Sequence, residues 1–144
     1  MNFIGIDPGK SGAIACLSMR EPEVFKLDNT ERDIWEFLSG LACEGNTQAV
    51  IESVHSMPGQ GVASSFKFGM SYGMLRAMLV ASEMPFETVT PRKWQGHLRC
   101  LSGGDKKITK AKAQELFPKT KVFHWNADAL LIAEYARRTY LSED

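Results

Sequence analysis

Three acidic side chains stand in segments whose pattern is otherwise apolar. Asp7 ends a short apolar strand, and Glu52 lies near the end of a second apolar run. Asp128 shares one helical face with apolar residues three, four and seven positions further on. A buried carboxylate without a partner costs several kcal/mol or shifts its pKa. Each acid therefore needs a partner, and no basic residue is near enough in sequence to serve alone.

A shared cation explains the three acids together. Carboxylates converging from two strands and a helix form the oxygen-rich site that Mg²⁺ or Mn²⁺ prefers. Two such ions, roughly 3.5–4 Å apart, can activate a water molecule and stabilise the leaving oxygen of a phosphodiester. For Asp7 a simpler role is open as well, because an Asp before Pro8 and Gly9 can start an Asx turn. The pattern thus predicts metal ligands at Asp7, Glu52 and Asp128.

The elements that must position these acids form an α/β pattern with a mixed five-stranded sheet. Three strands joined by short turns are typical of an antiparallel meander, and a fourth strand after a helix favours parallel pairing with the first. We predict strands at residues 2–7, 13–18, 23–27, 48–54 and 84–89. We predict helices at residues 31–44, 62–82, 105–117 and 125–140, with a short helix beginning at residue 91. The first two acids then share one edge of the sheet.

The predicted helix at residues 62–82 has an unusual surface. Gly69, Gly73 and Ala77 recur every four residues and form a smooth stripe. The helix carries only two charged residues, so we expect much of it to be covered by the sheet or by a second subunit. The loop at residues 54–61 directly follows the second acid, and it is therefore a candidate to contact whatever binds there.

The bulk composition indicates one globular domain spanning residues 1–144. With 44% hydrophobic and 24% charged residues, the chain can build a substantial core. The three cysteines are far apart, so neither a disulfide framework nor a cysteine zinc site is indicated. No apolar run has the length of a transmembrane helix, and the N-terminus lacks a signal-peptide pattern. We therefore expect a cytoplasmic protein without membrane contact.

Charge is distributed unevenly along the chain. The net charge is zero, with 17 basic and 17 acidic residues, which argues against a histone-like polycation. Residues 90–121, however, contain nine basic and only two acidic side chains. Such a segment is either a solvated helix face or a surface that binds phosphates.

Three acidic motifs, taken in order, resemble the RuvC family of Holliday junction resolvases, whose fold is ribonuclease-H-like. The first is IGIDPGKSG at residues 4–12, and the second is Ile51 and Glu52 before a loop and a glycine-bearing helix. The third is ADALLIA at residues 127–133. The short length and the run VHSMPGQG at residues 54–61 resemble the phage and prophage members. The likeness covers nearly the whole chain.

The resemblance implies a homodimeric endonuclease that binds four-way DNA and cuts two strands symmetrically with Mg²⁺, for which Mn²⁺ can substitute. Asp7, Glu52 and Asp128 match the family's catalytic acids. Bacterial members carry an additional Asp or His three residues before the last acid, where this chain has Trp125. His124, one position earlier, would stack above Asp128 on a helix and is the candidate ligand or water-orienting base.

The same likeness suggests where DNA binds. A glycine-containing loop follows the second acid, and the basic segment lies where the family has residues that face DNA. The residues predicted to contact DNA are Met57, Gly59, Gln60, Arg92, Lys93, Lys106, Lys107 and Lys110. If a phage encodes the protein, it would work in the cytoplasm of the host.

Functions from other classes fit part of the sequence. A ribonuclease-H-like nuclease acting on flaps or RNA–DNA hybrids would keep all three acids. A non-catalytic junction-binding protein would keep the basic surface but would not need buried carboxylates. An actin-like ATPase would share the first motif only, and it needs two such domains, which 144 residues cannot supply. Cleavage of a synthetic four-way junction separates these possibilities.

Overall fold

The computed structural model describes residues 1–53, 55 and 58–142. Its strands are β1 (Asn2–Asp7), β2 (Ala13–Leu17), β3 (Glu23–Lys26), β4 (Thr47–Glu52) and β5 (Phe86–Val89). Its helices are α1 (Glu31–Cys43), α2 (Val62–Ala81), α3 (Pro91–His97), α4 (Lys106–Leu116) and α5 (Ala127–Ser142). The predicted elements are confirmed, and their ends differ from the predicted ones by at most two residues.

The five strands form one mixed sheet in the order β3-β2-β1-β4-β5. β1 to β3 form the predicted antiparallel meander, whereas β1, β4 and β5 are parallel to one another. Parallel neighbours need a crossover connection, which α1 and α2 provide. The C-terminal ends of β1 and β4 consequently lie side by side at one edge of the sheet.

Side-chain hydroxyl and carboxylate groups fix where the helices around this edge begin. The hydroxyl of Thr90 accepts a hydrogen bond from the backbone N–H of Lys93, with a proline at the first helical position of α3. The carboxylate of Asp105 accepts one from the N–H of Lys107 and caps α4. These caps set the starting points of the two helices that carry most of the basic segment.

Each face of the sheet is covered by helices. On one face, α1 and α2 bury Leu38, Leu75 and Leu79 against apolar side chains of β1, β2 and β4. On the other face, α5 and parts of α3 and α4 form a second core that contains the fully buried Trp94. All of α5 from residue 127 to 136 is buried, so the first ten residues of this helix lie inside the protein, and residues 137–142 reach the surface.

Gly5 allows α5 to lie directly on β1. A Cβ atom at Gly5 would overlap the backbone N of Ala133 and the backbone O of Ala129. Those atoms belong to a helix backbone and cannot turn aside as a side chain can. Only glycine therefore permits this contact, which brings the first turn of α5 to the edge of the sheet where β1 ends.

The helix α2 is far less covered than the sequence predicts. Its fully buried side chains are Leu75 and Leu79, while Phe66 is 67% and Met70 is 56% exposed. Among the described residues, no atom outside the adjoining turns of the helix backbone lies within 4 Å of a Cβ built on Gly69. The expected cover by the sheet is thus wrong for this face of the helix, and the alternative of a second subunit stays open. In the described part of the chain, no helix is long and apolar enough to cross a membrane.

Candidate functional site

Asp7 and Glu52 are neighbours at the C-terminal edge of the parallel strands. The register pairs Ile6 of β1 with Ile51 of β4, so the next residue on each strand is one of the two acids. Side chains at matching positions of parallel strands project to the same face. Both carboxyl groups therefore point toward the layer that contains α5.

Asp128 comes to the same place from the first turn of α5. Its side chain is buried, and its Oδ2 accepts a hydrogen bond of 2.9 Å from the Lys106 ammonium at the start of α4. Its other oxygen, Oδ1, is buried without a hydrogen-bond partner among the described residues. A buried acceptor of this kind is costly, and it provides a coordination point for a cation or a donor that enters the site.

Trp94 holds the second carboxylate. Its indole Nε1–H donates a hydrogen bond of 2.6 Å to Glu52 Oε2, and the ring is fully buried in the core beneath α3. A buried tryptophan normally finds a partner for its N–H, and here that requirement fixes the position of Glu52. The contact was not predicted, although a single tryptophan in the polar segment PRKWQGH was a signal that its N–H has a specific acceptor.

The pKa of Asp7 reflects both its burial and its acidic neighbours. Burial, together with the charges of Glu52 and Asp128, raises the pKa of Asp7 from 3.8 to about 8, while Lys106 opposes the shift. Burial also raises the pKa of Glu52, with the hydrogen bond from Trp94 acting in the opposite direction. Because the acids are buried close together, a cation that enters the site is stabilised by their carboxylates.

Lys106 is the cation that the described structure places among the acids. Burial works to lower the pKa of Lys106, but the hydrogen bond and charge of Asp128, with the charges of Asp7 and Glu52, outweigh burial and raise it. No basic residue is near enough along the chain to neutralise the acids by itself. The fold brings Lys106 to Asp128 across 22 positions, so that expectation does not hold in space.

The donor set suits a hard divalent cation, although its side chains are engaged elsewhere. Among residues 1–53, 55 and 58–142, no three His, Cys, Asp or Glu side chains are arranged to hold a metal ion. Glu52 accepts a hydrogen bond from Trp94, and Asp128 accepts one from Lys106, so these two carboxylates are directed away from a shared metal position. Three carboxylates, one with a free buried oxygen and one with a strongly raised pKa, fit Mg²⁺ or Mn²⁺ by their chemistry.

An open cavity of about 540 Å³ lies beside the acids. Glu52 and Asp128 line one side of it, and Arg92 and Lys106 contribute positive charge. The rest of the wall comes from the start of α3, the start of α4 and the glycine-containing connection between them. The cavity therefore joins acids to basic groups, as a site for a phosphodiester requires.

The predicted site residues are only partly assembled around this cavity. Arg92 and Lys106 line it, together with two of the three acids. Asp7 and His124 are outside its lining, and so are the predicted DNA-binding residues Gly59, Gln60, Lys93, Lys107 and Lys110. Met57 lies outside the described residues. The DNA-binding roles of all these positions stay predictions.

His124 does not have the geometry on which its prediction was based. The helix α5 begins at Ala127, so His124 lies in the turn before it and is exposed. Residues four apart stack only when both are helical. The stacking of His124 above Asp128 is therefore wrong, and its catalytic role stays a prediction without that support.

The fold and the site define an α/β structure of the ribonuclease-H-like class. No protein-family model matches the sequence, and no curated protein sequence matches it. Solved structures do match: Thermus thermophilus RuvC, and T. thermophilus RuvC in complex with Holliday junction substrate. Each is 16% identical with a TM-score of 0.65, over 99% of this chain and 96% of the other. The chain therefore has a RuvC-like fold, as its motifs predict.

Proposed function

We propose that this protein is a divalent-metal-dependent endonuclease that resolves Holliday junctions and other branched DNA by paired cuts. One observation carries the proposal: carboxylates from β1, β4 and α5 meet at one edge of a RuvC-like fold, beside a cavity with basic walls. A purely structural role gives no reason to bury three acids together, because burial and the charges of Glu52 and Asp128 raise the pKa of Asp7 to about 8.

Asp7, Glu52 and Asp128 would hold the metal. When bound, a divalent ion supplies activation of a water molecule and charge stabilisation at the leaving oxygen. The protein contributes orientation: the indole of Trp94 fixes Glu52, and the packing of α5 on β1 fixes Asp128 relative to Asp7. Catalysis of phosphodiester hydrolysis depends mostly on such positioning and electrostatic stabilisation.

Basic groups around the cavity would hold the DNA backbone. Arg92 and Lys106 line the cavity, and Lys93, Lys107 and Lys110 lie on the same two helices. Binding through phosphates releases counterions, so the affinity should fall steeply with salt. One of the similar structures is a RuvC complex with Holliday junction substrate, which supports a branched substrate for this chain too.

A homodimer joined through α2 would provide two active sites for paired cuts. The exposed face of α2 carries Phe66 and Met70 beside the open surfaces of Gly69 and Gly73. Small residues let two helices approach closely, and the flanking apolar groups supply surface to bury. A two-fold axis between the helices would relate the two sites symmetrically.

The test of the nuclease is cleavage of a synthetic four-way junction with Mg²⁺ or Mn²⁺. We expect paired nicks from the wild type, and loss of cutting with retained binding in Asp7→Asn. Asp28→Asn is the matched control, because Asp28 is an exposed acid that does not line the cavity. Full activity in Asp7→Asn would overturn the metal assignment. Equal cutting of linear duplex or RNA–DNA hybrid would reject the resolvase assignment and keep the nuclease.

The test of the dimer is sedimentation of Met70→Glu. A carboxylate in the middle of an apolar helix face should prevent association and give a monomer. Met19→Glu is the control, because Met19 is fully exposed and lies on a different part of the protein. A Met70→Glu protein that remains dimeric would place the dimer contact elsewhere.

A further inference from the structure

A pair of aromatic rings with two lysines stands immediately before α5, and the proposed cleavage chemistry does not use it. The rings of Phe123 and Trp125 stack with centroids 5.7 Å apart and planes 11° from parallel. The Lys26 ammonium lies 5.3 Å from the centroid of the Trp125 ring. The Lys121 ammonium lies 5.5 Å from that of Phe123. We call these four residues the aromatic platform.

A buried side chain holds the platform in shape. Asn126 is 3% exposed, and its Oδ1 accepts a hydrogen bond of 2.7 Å from the N–H of Phe123. Its Nδ2–H donates to the backbone O of Lys121 at 3.0 Å. Asn126 thus closes a turn over residues 121–126, which contains both aromatic residues. The rings therefore belong to a preorganised turn, although Phe123 remains 38% exposed.

The platform is close to the acids. Trp125 is three residues from Asp128, which limits their Cα separation to about 11 Å. Across the sheet, Lys26 pairs with Ala13 and Ala13 pairs with Asp7, so the three residues form one row at the edge of the sheet. Strands are about 4.8 Å apart, so the Cα atoms of Lys26 and Asp7 are separated by roughly 10 Å.

From this geometry we infer that the platform binds an unpaired nucleobase of the DNA strand that is being cut. Flat aromatic rings flanked by ammonium groups are the arrangement that stacks bases and neutralises the adjoining phosphates. The inference rests on the proposed function, and it adds a base-stacking site within about three nucleotides of the scissile phosphate, at 3.4 Å per nucleotide.

The ligand is an unpaired base and not intact duplex. In a duplex each base face is already covered by its neighbours, so an aromatic side chain gains access only where stacking is interrupted. The centre of a four-way junction is such a place. Lys26 and Lys121 are exposed, so their ammonium groups can leave the ring faces and contact phosphates when a base stacks there.

The test uses 2-aminopurine, whose fluorescence is quenched by stacking, at each of three positions flanking the cut in a four-way junction. Measurements in EDTA prevent cleavage. We expect wild-type protein to quench one position. Trp125→Ala should lose this quenching and bind the junction about tenfold more weakly. Trp125→Phe should keep the quenching and bind within about threefold of wild type. Trp35→Phe, on α1, controls for the loss of a tryptophan elsewhere.

Two further measurements make each outcome decisive. Because Trp125 also packs against the core, Phe123→Ala provides a second, more exposed perturbation, and circular dichroism verifies folding. A folded Trp125→Ala protein with wild-type quenching and affinity would overturn the inference and leave the nuclease proposal intact. If wild type neither binds nor cuts junctions, the proposed function fails. A single-stranded oligonucleotide containing 2-aminopurine then tests whether the platform binds an unpaired base. Quenching that depends on Trp125 supports the inference, and no quenching rejects it.

Discussion

Asp7→Asn should stabilise the metal-free protein at pH 8 while it abolishes cleavage. In the folded protein, burial and the charges of Glu52 and Asp128 raise the pKa of Asp7 from 3.8 to about 8. In the unfolded chain the same carboxyl has its ordinary pKa and ionises near pH 4. Folding therefore takes up a proton at neutral pH, and asparagine, which is neutral in both states, avoids that cost.

The magnitude follows from the pKa shift. The stability associated with Asp7 is fully present below about pH 4 and is lost progressively as the pH rises to about 8. Each pKa unit corresponds to about 1.4 kcal/mol, so the full shift sets a ceiling of about 6 kcal/mol. Solvent reaches part of this side chain and its neighbours titrate with it, which reduces the expected gain to about 2 kcal/mol. In a chain of this length that gain raises Tm by about 4–8 °C.

The assay is thermal unfolding of wild type and Asp7→Asn in EDTA between pH 5 and pH 8. The difference in Tm should be smallest at pH 5 and should increase toward pH 8. Asp28→Asn, at an exposed acid, should show no such trend. Added Mn²⁺ should stabilise wild type more than Asp7→Asn, because a ligand stabilises the state that binds it. A lower Tm for Asp7→Asn at pH 8, or a difference independent of pH, would refute the reasoning.

Two further substitutions probe how the acids are placed and what competes for them. Gly5→Ala should destabilise the protein by about 1–3 kcal/mol in urea unfolding and reduce cleavage, because its Cβ would overlap the backbone of α5. Gly69→Ala is the control: the space around Gly69 is open, so this change should leave stability unchanged or raise it. Lys106→Met should tighten Mn²⁺ binding severalfold, measured by calorimetry, because the Lys106 ammonium occupies an oxygen of Asp128. Lys107→Met, at an exposed neighbouring lysine, should leave the affinity unchanged. Weaker Mn²⁺ binding by Lys106→Met would show that the ammonium does not compete with the metal.

The two acids on the sheet could be predicted because local rules determine their position. A short meander and a helical crossover specify how β1 and β4 pair, and the period of two then brings Asp7 and Glu52 together. Asp128 could be predicted from the apolar pattern of its own helix. Each conclusion needed only neighbouring residues or a standard connection between strands.

Contacts between distant elements could not be predicted in this way. Lys106 reaches Asp128 across 22 positions, and Trp94 reaches Glu52 across 42. Both depend on where α3 and α4 lie relative to the sheet, which no periodicity specifies. The error for His124 is different, since helical spacing was extended to a residue before the helix, and the helix begins at Ala127, two residues later than predicted. A shift of two residues at a helix start changes the fold little, but it changes which side chains stack above one another.

The separation of the acids depends on a residue that cannot itself bind a metal. The sheet register fixes Asp7 relative to Glu52, but Asp128 belongs to a helix that could lie at many heights above the sheet. Gly5 removes that freedom, because the backbone of α5 at Ala129 and Ala133 occupies the space of its missing side chain. Any larger residue would lift α5, and Asp128 with it, away from Asp7. Gly5 therefore contributes to the proposed active site by setting the distance between Asp7 and Asp128. It does so through close packing against α5 and not through chemistry of its own.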